Sequence, residues 1–284
     1  MKNILVTTDF SPESHSAFEV AVQWAKHTGG HVTLLHVLEE IDGASGGFST
    51  TGSPTAGHSI DQLFPIKLME ATKRRMHHLR DEAARLATDV PVQDTVEIAR
   101  VGDGILTTIQ KLGIDLVVMG ARGHGAMENF FVSSTTERLI RLAPCPVLTV
   151  KHPQADFAVQ NIVFPSDFSG EAASALDGLR QVQAVFPEAT LHLLHVAASG
   201  NGHVAQQQMQ SFAQQHALLN CQTAEVDADR VSAGIEQYAQ QVQADMVVIP
   251  THHRSGLSRF LRASIAETVA THAYPPVLTY HLTA

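Results

Sequence analysis

The chain has 284 residues, 44% of them hydrophobic, which is enough for two ordinary domains that each bury a core. Its formal charge of −9 is spread without long single-sign blocks, which argues against a basic groove for nucleic acid and against a polybasic membrane anchor. Two cysteines, Cys145 and Cys221, lie far apart and outside any CxxC pattern, as expected of reduced thiols rather than a disulfide framework.

The opening Met1-Lys2-Asn3-Ile4-Leu5-Val6 meets Asp9 too early for a secretory leader, and no apolar run reaches membrane-spanning length. A cytoplasmic location with no membrane contact is expected. Ile4 to Thr7 reads as a short buried strand, and Ser11-Pro12 as an N-cap followed by proline at the first helical position. Asp9 therefore falls where the first strand gives way to the first helix. Ala17, Val20, Ala21, Trp24 and Ala25 recur at helical spacing, the strand Val32 to Val37 follows, and Met69, Met76, Leu79, Ala83 and Leu86 mark a second helix. Between them, Asp42 to Ser59 is rich in Gly, Ser and Thr and reads as a surface loop, either a plain connector or a lid. Leu116 to Met119 and Val147 to Val150 complete a series of five strands alternating with four helices.

The series then repeats. Asn3-Ile4-Leu5-Val6-Thr7-Thr8-Asp9-Phe10-Ser11 is answered by Asn161-Ile162-Val163-Phe164-Pro165-Ser166-Asp167-Phe168-Ser169, and Leu34-Leu35-His36-Val37 by Leu193-Leu194-His195-Val196. Further on, Asp115 to Met119 matches Asp245 to Ile249, Ser134-Thr135-Thr136-Glu137 matches Ser264-Ile265-Ala266-Glu267, and Pro146 to Thr149 matches Pro276 to Thr279. The shortening between the early and late matches is assigned to the Asp42 to Ser59 segment, which the second copy replaces with Ser199-Gly200-Asn201-Gly202. The chain is read as two tandem copies, 1–152 and 156–284, of a doubly wound, parallel-sheet, Rossmann-like α/β domain. In such sheets the ligand crevice lies at the carboxyl ends of the strands, where Asp9 and Asp167 sit.

One stretch carries chemistry. Gly120-Ala121-Arg122-Gly123-His124-Gly125 follows a strand directly, and Ser133-Ser134 opens the next helix. Glycines there let backbone amides approach an anion, and the helix N-terminus adds unpaired N–H groups and a favourable dipole. Ser134 with Glu137 also has the form of a capping box.

This arrangement resembles the universal stress proteins over essentially the whole chain, twice. Family members that bind ATP carry G-x-x-G, nine residues, then Gly and Ser or Thr. Gly120, Gly123 and Ser134 match, while Ser133 stands where the third glycine belongs. The resemblance implies ATP or AMP as ligand, ATP with or without Mg2+, bound mainly in the first copy. Thr8, Asp9 and Val37 would face the adenosine, and Gly120, Gly123, Ser133 and Ser134 the phosphates. Arg122 is either a phosphate clamp or a solvated surface arginine, and Asp9 either a contact to adenine or ribose or a local turn group. The resemblance also implies a stress-response regulator acting on an unidentified protein partner, at most a weak ATPase. The copies would pair through their last strands, Pro146 to Val150 and Pro276 to Tyr280, as an internal pseudo-dimer tethered by the linker near Pro153, with further homodimerisation open. A scaffold that needs no nucleotide, or a binder of another metabolite, is the alternative.

The second copy has Pro250-Thr251-His252-His253 and Ala263-Ser264 in place of the glycines, so the cradle is not reproduced, while Ser264 and Glu267 keep the form of a helix cap. Past Lys151 there is no lysine, and three of five arginines, Arg254, Arg259 and Arg262, cluster where the phosphate loop would be. With Asp167 and Ser264 nearby they form either a side-chain anion site or a solvated, locally paired surface. The 17 histidines point to no metal site, because the adjacent pairs His77-His78 and His252-His253 diverge on a helix. His36 and His195, at matching strand positions, are expected to hold backbone near the crevice.

Overall fold

The computed structural model describes residues 1–39, 58–121, 134–154, 156–168, 175–197, 206–251 and 258–281, with only the backbone of 58–66, 134 and 258–264. In the first copy β1 (Asn3–Thr7), α1 (Pro12–Thr28), β2 (His31–Glu39), α2 (His58–Leu86), β3 (Val92–Ala99), α3 (Val101–Leu112), β4 (Leu116–Gly120), α4 (Ser134–Leu142) and β5 (Val147–Val150) follow in order. The second copy continues with β6 (Asn161–Pro165), α5 (Leu176–Val185), β7 (Thr190–Ala197), α6 (Gln206–Gln215), β8 (Cys221–Asp227), α7 (Val231–Gln241), β9 (Met246–Thr251), α8 (Ser258–His272) and β10 (Val277–His281).

The ten strands of the described residues form one sheet in the order β3-β2-β1-β4-β5-β10-β9-β6-β7-β8. Each half is parallel, and the single antiparallel seam joins β5 to β10. At the seam Leu148 pairs with Leu278, residues that occupy the same place in the two copies, so a pseudo-two-fold axis passes between them. Thr149 Oγ1 donates to the Val277 carbonyl and Thr279 Oγ1 to the Val147 carbonyl, both at 3.3 Å, as that symmetry requires. The two copies are thus packed as the expected pseudo-dimer.

Repeated residues do repeated structural work. Asp115 accepts the backbone N–H groups of Lys2 and Asn3, and Asp245 accepts those of Gln160 and Asn161, so each carboxylate anchors the start of its first strand. Helix α1 runs from N-cap Ser11 to Gly29, whose left-handed φ of 61° ends it. Its predicted stripe, Ala17, Val20, Ala21, Trp24 and Ala25, is wholly buried. On α2, Met76, Leu79 and Ala83 are buried as predicted, but Leu86 at the helix end is 48% exposed.

Three expectations change. The length difference between the copies does not reside in the Gly/Ser/Thr segment alone, because α2 has 29 residues where α6 has 10; residues 42–57 of that segment lie outside the described residues. Ser264 does not open its helix, since α8 starts at Ser258, and Glu267 is instead bound by the Arg141 guanidinium across the seam, with Arg141 Nη2 2.9 Å from Glu267 Oε2. Nor is the linker only a tether. Phe157 is 3% exposed, its N–H donates to Gln23 Oε1 at 2.6 Å, and its ring packs with those of Trp24 of α1 and Phe186 after α5. One apolar cluster consequently runs from Trp24 through Phe157 to Phe164 and Phe186, continuous across both copies.

Candidate functional site

The strand order reverses between β1 and β4, which makes their carboxyl ends the switch point of the first copy. There β1 leaves the sheet into a tight turn. Thr8 is buried, its N–H donates to the Leu35 carbonyl at 2.9 Å, and its Oγ1 accepts the Phe10 N–H at 3.0 Å. Phe10 adopts a left-handed φ of 65°, uncommon for an aromatic residue, and the hydroxyl of Thr8 holds it there. Asp9 is exposed beside it, and its Oδ1 accepts from the Ser11 N–H at 3.0 Å and from the Ser11 hydroxyl. Ser11 Oγ in turn caps α1 by accepting the Ser14 N–H at 3.2 Å. Partial burial acts to raise the carboxyl pKa of Asp9, but the hydrogen bonds from Ser11 and Ser14 outweigh it and hold the value below the ordinary aspartate range.

His36 Nδ1 lies 2.7 Å from the Thr8 carbonyl and donates to it, which ties β2 to the turn. The imidazole also lies over the Phe10 ring, with centroids 4.6 Å apart, and the Arg75 guanidinium of α2 covers Phe10 at 5.2 Å. Sequence reasoning did not single out Phe10 or Arg75 for the crevice. The recurrence of phenylalanine at 10 and 168 was the available signal for the first; Arg75 had none, because only the packing of α2 brings it there.

The second copy repeats the turn. Ser166 Oγ accepts the Phe168 N–H at 3.0 Å, Phe168 has φ 50°, and His195 Nδ1 lies 3.2 Å from the Ser166 carbonyl. His36 and His195 therefore hold backbone at the crevice, as expected. Asp167 sits exposed at the carboxyl end of β6.

Gly120 ends β4 against the first turn of α1. A Cβ there would meet the Glu13 carbonyl carbon and the Ser14 nitrogen at 2.6 Å, so glycine is required for this packing whatever occupies the crevice. Val37, half-buried on β2, packs against Gly104 of α3, where a Cβ would come within 3.1 Å of its methyl. The structure thus brings Thr8, Asp9, Val37 and Gly120 to one end of the sheet. Arg122, Gly123 and Ser133 lie outside the described residues; Ser134 opens α4, with its side chain not described.

At the second switch point the strands part earlier. β1 and β4 stay paired through Thr7 and Met119, whereas β6 and β9 are paired only at Ile162–Met246 and Val163–Val247. Beyond that point β6 carries Pro165 and β9 carries Pro250, neither of which has an N–H to continue the ladder. Arg254 lies outside the described residues, and only the backbone of Arg259, Arg262 and Ser264, all within α8, is described.

Fold and crevice together define a duplicated, doubly wound α/β protein with a candidate ligand site at the switch point of each half. The model of the universal stress protein family matches residues 1–151 and again 158–281. The chain belongs to that family, as a tandem member. A universal stress protein of Staphylococcus aureus is 28% identical over 165 residues, spanning 56% of this chain and 90% of that one, so a relative of one-copy length matches part of this chain. A universal stress protein of Archaeoglobus fulgidus has the same fold over 99% of this chain and 98% of its own, with a TM-score of 0.71 at 16% identity. A protein of unknown function from Pseudomonas aeruginosa follows it at 0.68 and 18%, covering 99% of this chain and 93% of its own. Among the described residues no helix is long and apolar enough to cross a membrane.

Proposed function

We propose that the first copy binds an adenine nucleotide, ATP or AMP, and that occupancy alters a surface read by a protein partner in a cytoplasmic stress response. The observation that carries this reading is the convergence of Thr8, Asp9, Val37 and Gly120 at the switch point between β1 and β4. Asp9 is exposed there and kept ionised by Ser11 and Ser14, as an acceptor for ribose or adenine donors must be. Gly123, Ser133 and Ser134 would supply amides to the phosphates, with Arg122 as a clamp and Mg2+ as companion to ATP. No step of catalysis is needed for such a regulator, and hydrolysis is at most weak.

A scaffold that needs no nucleotide is favoured by a different observation. Gly120 and Asp9 each have a structural role without any ligand, Gly120 in packing against α1 and Asp9 in holding its N-cap residue Ser11. Denaturing the purified full-length chain and chromatographing what it releases separates the readings, together with thermal shifts on adding ATP. Near-stoichiometric adenine nucleotide, or an ATP-dependent shift abolished by Gly123→Val, supports the regulator. An empty crevice with no shift leaves the scaffold.

A further inference from the structure

His15 and Glu19 stand one turn apart on α1, so both side chains project from one face. Packing of α2 brings Glu82 to the same place from far along the chain. His15 Nε2 lies 2.9 Å from Glu82 Oε1, and His15 Nδ1 lies 4.0 Å from Glu19 Oε1. One ligand atom from each of the three residues falls within 4.8 Å of the others.

We infer that His15, Glu19 and Glu82 form a site for one divalent transition-metal ion of the Zn2+ or Co2+ kind. Imidazole nitrogen and carboxylate oxygen bind such ions at about 2.0–2.2 Å, which places donors about 3–4 Å apart around the ion. His15 Nε2 and Glu82 Oε1, now 2.9 Å apart, reach that spacing by a small separation. The partly exposed Glu19 closes the remaining gap by side-chain rotation, and the half-exposed setting leaves water to complete the shell. A mixed nitrogen and oxygen donor set selects against Mg2+, which prefers oxygen ligands throughout. The scaffold is rigid: Ala17 and Phe18 beside His15, and Leu79 and Ala83 beside Glu82, are buried in the core. The ion replaces the His15–Glu82 hydrogen bond and clasps α2, which carries Arg75 over Phe10, to the opening turns of α1 next to Asp9. The site does not depend on nucleotide binding.

The test is titration of the metal-free full-length chain with Co2+, followed by visible absorption, and with Zn2+ by calorimetry. One equivalent is expected for the parent. His15→Gln and Glu82→Gln should each weaken it tenfold or more while circular dichroism stays unchanged, and a His77→Gln, His78→Gln double variant on the same helix should bind as the parent does. No binding by the parent, unchanged affinity in His15→Gln and Glu82→Gln, or an equal loss in the double variant would overturn the site.

Discussion

Phe157 of the linker stacks on Trp24 of α1 with ring centroids 6.3 Å apart and an interplanar angle of 28°. Phe186 meets both edge-on, at 5.3 Å from Trp24 and 5.8 Å from Phe157. The linker thereby fills the junction between the copies on one face of the sheet, while Arg141 and Glu267 join α4 to α8 by side chains at the seam. Trp24 is the only tryptophan, so its emission reports on this cluster alone.

Phe157→Ala should cost about 3 kcal/mol, because a buried ring is lost where two rigid neighbours cannot collapse into the space. Urea unfolding followed by Trp24 fluorescence measures it, and the native emission should move to the red as water reaches the indole. An unchanged midpoint and spectrum would return the linker to the status of a tether.

Gly120→Ala places a methyl group against backbone atoms of Glu13 and Ser14 rather than against a flexible side chain. A loss of about 1–3 kcal/mol is expected, since one of the two elements must shift. The shift falls on the turn that presents Asp9, so any nucleotide affinity should weaken as well. Thermal unfolding and ATP binding are to be measured on the same sample; a variant as stable as the parent would show that α1 can move aside without cost.

Lys151 is 5% exposed, and its Nζ has no hydrogen-bond partner among the described residues. Burial lowers its pKa to about 7, opposed by the charge of Glu236, whose own carboxyl is pushed up by burial despite the nearby His272, Lys151 and Arg230. Between about 7 and the ordinary 10.5 the unfolded chain binds more protons at this site than the folded one, so Lys151 makes stability rise with pH across that window. Below it the folded chain carries a buried charge at full cost. Lys151→Met should therefore raise stability by about 2 kcal/mol at weakly acidic pH and by progressively less toward alkaline pH. Chemical denaturation across the pH range tests this, and a pH-independent difference between the two proteins would contradict it.

For the second copy, the prolines that part β6 from β9 and the loss of the glycines leave side chains as the available anion receptors. Replacing Arg254, Arg259 and Arg262 together by glutamine should abolish a salt-sensitive affinity for inorganic phosphate while leaving ATP binding in the first copy unchanged. Binding isotherms at several salt concentrations decide it. If phosphate affinity persists in the triple variant, these arginines are a solvated surface and the second copy is a structural partner.

What the sequence determined by itself was whatever a local period or an exact recurrence could express. Short apolar runs and helical spacing gave the strand and helix order, Ser11-Pro12 marked the start of α1, and the recurrence of Asp-Phe-Ser and of Leu-Leu-His-Val placed Asp9 with Asp167 at equivalent strand ends and His36 with His195 at equivalent strand positions. That the last strands would meet was implied by the family resemblance, not by any period or recurrence in the chain. The tertiary structure decided the rest, because those relationships join residues remote in sequence and leave no period behind. Phe157 lies in a segment with no regular element, and its burial depends on rings from both copies. Glu267 looks like a capping residue in its own segment, yet the seam delivers Arg141 to it. Gly120 invited a phosphate reading because glycine is read through what it permits, whereas the first turn of α1 pressed against it shows what it is required for. His15, Glu19 and Glu82 meet only because α2 packs on α1, and no spacing rule along one chain could have brought the third of them to the other two.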